Sequence, residues 1–218
     1  MTYEVTNQDL EIADRAFGRI ETYLSSPWDG RDIPTLDLGH NLLISILREY
    51  QHLRLGYEKD TALEAWACRS LLELDIYVQY VLISEANARR FIGDVTIDGI
   101  ELFESMKEWM RTLAPTVETV ALDETLRLAY ERKASDGVIE SKHLEIRDLA
   151  EAVGMTVDYR HTNRLCSKLV HPTAWSVLSM NDDGEYTAFR PLLFNAGVRY
   201  GVDGFNTIRE YAEKLGGG

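Results

Sequence analysis

Residues 61–82 constrain the fold more than any other part of this chain, because as a helix they have almost no side fit for water. Leu71, Leu74, Val78, Val81 and Leu82 spread around the helix rather than along one stripe, and a helix that is apolar nearly all round belongs in the middle of a core. Its start, Thr61-Ala-Leu-Glu64, has the spacing of a capping box, in which the first and fourth side chains satisfy free backbone N–H groups. A central helix must be wrapped by others, and the flanking sequence supplies them. Leu10, Ala13, Phe17, Ile20 and Leu24 recur at helical spacing in residues 7–24, as do Leu42, Leu43, Ile46, Tyr50 and Leu53 in residues 35–55, where Gly56 marks a stop.

Further helices are expected at 84–92, 97–113, 116–133 and 144–153, the last closed by Gly154, and then at 158–171, ended by Pro172. A turn through Trp175 and Leu178 and an extended stretch at 185–190 should precede a last helix at 192–215. Gly197, Gly201 and Gly204 lie on one side of that helix and would let a neighbour approach closely. The expectation is an all-α bundle of eight to nine helices, with residues 1–215 as a single domain and 216–218 as a flexible tail.

Charge and cysteine content narrow the function. A net charge of −13 and a pI near 4.8 argue against broad binding to duplex DNA. No apolar run reaches the ~20 residues needed to span a bilayer, and no signal-peptide pattern opens the chain. Cys68 and Cys166 sit in apolar helical contexts and read as reduced core thiols, so the cytoplasm is the expected compartment.

Against that acidic background, residues 158–171 divide into two faces. Tyr159, Thr162, Leu165, Cys166, Leu169 and Val170 fall on one side; Arg160, Arg164, Lys168 and His171 fall on the other, with Ser167 beside them and His161 at the edge. Arg164 and His171 lie two turns apart, about 10.5 Å along the axis. On the central helix, Arg69, Glu73 and Tyr80 share one edge. Charges there must be paired, so Arg69 and Glu73 either neutralise each other or line a polar cavity facing the cationic helix. In the second case Arg69, Glu73, Tyr80, Arg160, Ser167 and Lys168 would bind an anion: a nucleotide, an RNA phosphate or a partner carboxylate. An arginine to stabilise phosphate charge and a histidine to move a proton would also suffice for metal-independent cleavage of RNA by Arg164 and His171.

The pairing of Arg69-Ser-Leu-Leu-Glu73 with Arg164-Leu-Cys-Ser167-Lys-Leu-Val-His171-Pro-Thr173 resembles a family of uncharacterised, mainly bacterial, all-helical domains. In that family an Arg-x-x-x-Glu helix precedes a Ser-x-x-x-His-x-Ser/Thr helix, and the resemblance covers roughly residues 36–178. The family is similar in architecture to the HEPN helical domains, many of which are dimeric ribonucleases or toxins with an Arg-x(4–6)-His motif. The resemblance implies catalytic roles for Arg164 and His171, which stand at the longest allowed spacing. Leu165 departs from the polar residue that often follows the arginine in active members, so a non-catalytic relative is also implied.

Two Glu-x-x-His pairs, Glu49/His52 and Glu140/His143, have the spacing of di-iron ligands. His52 points away from the apolar face of its helix and Glu140 falls in a loop, so no metal and no cofactor are expected. Trp66, Trp109 and Trp175 fit core or interface packing better than base stacking. Three readings stand: an anion-binding protein with RNA, a nucleotide, a second copy or a charged protein as partner; a ribonuclease; and a purely structural interaction domain.

Overall fold

The computed structural model describes residues 4–26, 33–114, 118–135, 143–171 and 187–216. The expectations at Glu140, Pro172, Trp175 and Leu178, and the end of the tail at 217–218, lie outside the described residues. Among those described there are eight helices and no strand: α1 (Asn7–Ser25), α2 (Pro34–Lys59), α3 (Thr61–Val81), α4 (Glu85–Leu113), α5 (Val120–Ser135), α6 (Ile146–Ala152), α7 (Thr156–Val170) and α8 (Arg190–Gly216). The protein is an all-α bundle. No described helix is long and apolar enough to cross a membrane.

The chain divides into two compact units. The larger holds residues 1–84 and 146–218 and is built around α3, which packs against α2, α6, α7 and α8. Ala65, Ala67, Cys68, Leu71, Leu72, Ile76, Val78 and Val81 are fully buried along it, as its apolar circumference requires. Around them Phe17 stacks on Tyr50, ring centroids 3.6 Å apart, and Ile20, Leu43, Ile46, Leu53, Phe194 and Ile208 complete the core. The smaller unit, residues 85–145, is the hairpin of α4 and α5.

Several local expectations change. Helix α2 does not stop at Gly56 but runs on to Lys59. The glycine is there because a Cβ would lie 2.4 Å from the backbone nitrogen of Glu64, so it permits the start of α3 to cross α2. The cap of α3 is Asp60 rather than Thr61: its carboxylate accepts from the amides of Ala62 and Leu63 at 2.8 and 3.2 Å. Glu64 is thereby free of any capping task and is fully buried. The two helices expected at 84–92 and 97–113 are one, α4, of 29 residues. Residues 187–190 are turn and helix rather than extended.

Other features follow the expected chemistry. Gly154, at φ 77°, closes α6, with the amides of Gly154 and Met155 returning to the carbonyls of Glu151 and Ala150. On α8, a Cβ at Gly197 would stand 2.7 Å from Leu53 and one at Gly201 would stand 2.6 Å from Phe17, so these glycines set how closely α8 approaches α1, α2 and α3.

Candidate functional site

Helix α7 lies against α3 through the face its sequence assigns to packing. Cys166 and Leu169 are buried, Tyr159, Thr162, Leu165 and Val170 half-buried. Its N-terminal end is fastened to α8: Asp158 pairs with Arg199, and the hydroxyls of Thr162 and Tyr200 stand 2.9 Å apart. With one face so held, the other is forced outward. Arg160, His161, Arg164 and Lys168 are exposed. Arg160, Arg164 and Lys168 have no ion pair among the described residues. His171, also exposed, is the C-cap of α7, its backbone already extended at φ −95°, ψ 143°, and its amide donates to the Ser167 carbonyl. The Ser167 hydroxyl is half-buried and directed along the helix to Asn163 Oδ1 at 3.5 Å.

The polar edge of α3 is closed on itself. Arg69 Nε donates to Glu73 Oε1 at 2.8 Å, with both side chains partly covered. Burial would lower the arginine's pKa, but the hydrogen bond and charge of Glu73, with Tyr159 and Cys166 nearby, leave it raised. Arg69 therefore looks toward the packed face of α7, and the structure brings Glu73 to Arg69 rather than to Arg164. Tyr80 is buried. The two helices are neighbours, with one polar edge turned inward and the cationic strip turned to water.

Two carboxylates on α3 escaped the sequence reading. Glu64 is fully buried with no hydrogen-bond partner for either carboxylate oxygen among the described residues. Burial pushes its pKa up to about 8, against the pull of Arg190. Asp75 is also fully buried; its Oδ1 accepts from Gln79 at 3.1 Å and its Oδ2 has no partner. Burial pushes its pKa up to about 7, the Gln79 hydrogen bond opposing. The rule that charges on such a helix must be paired holds for Arg69 and Glu73. Glu64 and Asp75 follow the alternative, in which burial shifts a carboxyl toward its protonated form. Asp75, lying among the apolar residues of a helix that the sequence marks as mostly buried, was the signal in the sequence.

Of the two Glu-x-x-His pairs, only Glu49/His52 lies wholly within the described residues, and its two members pair with each other. Glu49 is buried and shared between Arg48 and His52, each at 3.2 Å. In the smaller unit His143 has Nδ1 3.1 Å from Asp98 and Nε2 3.2 Å from Glu101. The Glu101 hydrogen bond and charge raise its pKa, with smaller contributions from Asp98 and Asp94. Asp94, Asp98 and His143 form one group of metal-ligand types among the described residues, in which the His143 ring already stands at hydrogen-bond distance from Asp98 and Glu101. An open depression between α4 and α5, lined by Lys107, Arg111, Asp123, Arg127 and Tyr130, lies in this same unit. Its charges are mostly spent internally, Lys107 on Asp123 and Arg127 on Glu124 and Glu131.

Residues 37–186 match the model of a family described as "Family of unknown function (DUF5677)". No curated protein matches the chain, and no solved structure does.

Proposed function

The chain belongs to the DUF5677 family, and from that footing we propose that it is an anion-binding helical protein whose α7 presents a cationic strip to the phosphate backbone of single-stranded RNA. One observation carries the reading. Arg160, Arg164 and Lys168 occupy successive turns of α7, exposed and without an ion pair among the described residues, in a chain of net charge −13. An acidic protein has carboxylates to spare for neutralising its cations, so three left open in a row point to an anion from outside. Their spacing of about 6 Å per step suits a repeating backbone charge better than a single carboxylate. With Arg69 and Glu73 spent on each other, the site is a strip on the outer face of α7, not a cavity between α3 and α7. The resemblance to HEPN domains supports the same helix as the functional one, and two buried free thiols suit the cytoplasm.

Cleavage is the second reading, favoured by the exposure of both Arg164 and His171 on α7. They stand about 10.5 Å apart along the axis, and a second copy adding its own Arg164 and His171 would bring two such pairs to one phosphodiester.

The test is fluorescence anisotropy with a labelled single-stranded RNA at several salt concentrations. Three phosphate contacts predict a slope of log K against log salt of about −2, abolished in Arg160→Ala/Arg164→Ala/Lys168→Ala. Binding that is unchanged in this variant, or absent in the parent chain, sinks the proposal. RNA cleaved in EDTA by the parent chain and spared by His171→Ala would favour the second reading.

A further inference from the structure

Three carboxylates of α4, Asp94, Asp98 and Glu101, fall within about 60° of arc, and one histidine, His143, comes to them from the segment before α6. Asp94 is only 9% exposed, and a carboxylate that far out of water calls for partners. Its Oδ1 accepts the amide of Leu144 at 3.1 Å, which also fixes the histidine next to it in the chain. Its Oδ2 has no hydrogen bond among the described residues. Nor does any lysine or arginine pair with Asp94, Asp98 or Glu101 among those residues. Three negative charges therefore face at most one positive charge, that of an imidazolium, and the balance favours a divalent cation.

The histidine divides its ring nitrogens between two tasks. Nδ1 lies 3.1 Å from Asp98 Oδ1 and 3.6 Å from Asp94 Oδ1, and one donor atom from each of these three residues lies within 4.8 Å of the other two. Zinc bonds of about 2.0–2.1 Å set neighbouring tetrahedral ligands about 3.3 Å apart, a value between the two observed separations. Nε2 lies 3.2 Å from Glu101 Oε1. A histidine that ligates a metal through one nitrogen commonly donates its other N–H to a carboxylate, and Glu101 stands where that carboxylate belongs.

We propose that Asp94, Asp98 and His143 bind a divalent transition-metal ion, zinc by the choice of donors, with Glu101 as a positioning residue that holds the imidazole through Nε2–H. An imidazole between two carboxylates suits zinc, whereas magnesium and calcium take oxygen donors. Binding sends the Nδ1 proton to solvent and gives that lone pair to the metal. Three protein donors leave a fourth position for water, which the 63% exposed side chain of Asp98 and the 48% exposed side chain of His143 leave accessible. The ion would fasten residues 143–144 to α4. This site uses His143 without Glu140, and it shares no residue with the cationic strip of α7.

Titration calorimetry of the full chain, stripped with EDTA and dialysed, against zinc chloride tests this. The tightest equivalent of zinc should be lost in Asp98→Asn and in His143→Gln. Both side chains are half exposed or more, and each variant should still melt cooperatively without metal. Glu101→Gln should weaken binding about tenfold to a hundredfold, and His171→Gln should leave it unchanged. Nitrogen-15 NMR of the zinc-loaded chain should show His143 coordinated through Nδ1 with its proton on Nε2. A chain that takes up no zinc, full zinc affinity in Asp98→Asn and His143→Gln, coordination through Nε2, or magnesium that displaces zinc at equal concentration would each overturn the proposal.

Discussion

The two units spend their apolar residues in opposite ways. In the larger one, α3 buries most of its side chains, and α8 comes so close to Leu53 of α2 and Phe17 of α1 that glycines at 197 and 201 have no room for a methyl group. That unit even takes two carboxyls, Glu64 and Asp75, out of water without a full set of partners. In the smaller one, Ala88, Ile100 and Leu126 are buried, while Leu102, Trp109, Leu113, Val120 and Leu128 are more than half exposed. Two antiparallel helices have one shared face and cannot enclose a core, so half of the apolar surface of such a hairpin needs a further partner. The difference teaches where each kind of property resides: stability in the unit around α3, and unsatisfied apolar surface on α4.

The sharpest way to break this contrast is a matched pair of truncations. Leu71→Ala should cost about 2–5 kcal/mol in urea denaturation, whereas Leu102→Ala should cost less than about 0.5 kcal/mol. Similar losses for the two would mean that α4 is as tightly packed as α3. A pair of glycines comes next. Gly56→Ala forces a methyl group against the backbone of Glu64 and should destabilise by about 3 kcal/mol. Gly99→Ala has open space around it and should stabilise α4 by about 0.5–1 kcal/mol through helix propensity alone.

The buried carboxyls make the larger unit sensitive to pH. Glu64 has its pKa raised by burial from 4.5 to about 8, so on unfolding it releases its proton anywhere between these values. Its contribution to stability is complete below about pH 4.5 and lost as pH rises through about 8. Glu64→Gln should flatten the stability profile between pH 5 and 8 and raise stability at the upper end by on the order of 4 kcal/mol; stability that falls equally steeply with pH before and after substitution would contradict the burial argument. Asp75→Asn should act likewise, its window closing near pH 7. The smallest effect belongs to the hairpin. His143 has its pKa raised by Glu101, Asp98 and Asp94, so its contribution is present below the ordinary histidine value and lost as pH rises through the elevated one. An NMR titration of His143 should move toward the ordinary value in Glu101→Gln.

Much of this was legible in the sequence, and the parts that were not share a cause. The buried nature of α3, the two-faced character of α7 and the tolerance for close approach along α8 are properties of spacing within one helix, which a chain carries before it folds. The pairing of Arg69 with Glu73 was legible for the same reason, being an i, i+4 relation. The fates of Gly56, Glu64 and Trp109 depend on what lies across from them. Gly56 resembles a helix stop until the start of α3 is seen crossing it, and Glu64 resembles a capping residue until Asp60 takes that task. Trp109 resembles core because its periodicity says that it shares a stripe, not whether anything covers the stripe.

Read alone, the sequence determined an all-helical chain with one greasy central rod and one cationic helix edge, since periodicity and charge pattern are set residue by residue. Only the tertiary structure decided which polar edge met protein and which met water. That choice depends on the rotation at which two helices pack, and rotation is fixed by the shapes of many distant side chains together rather than by any local run of residues.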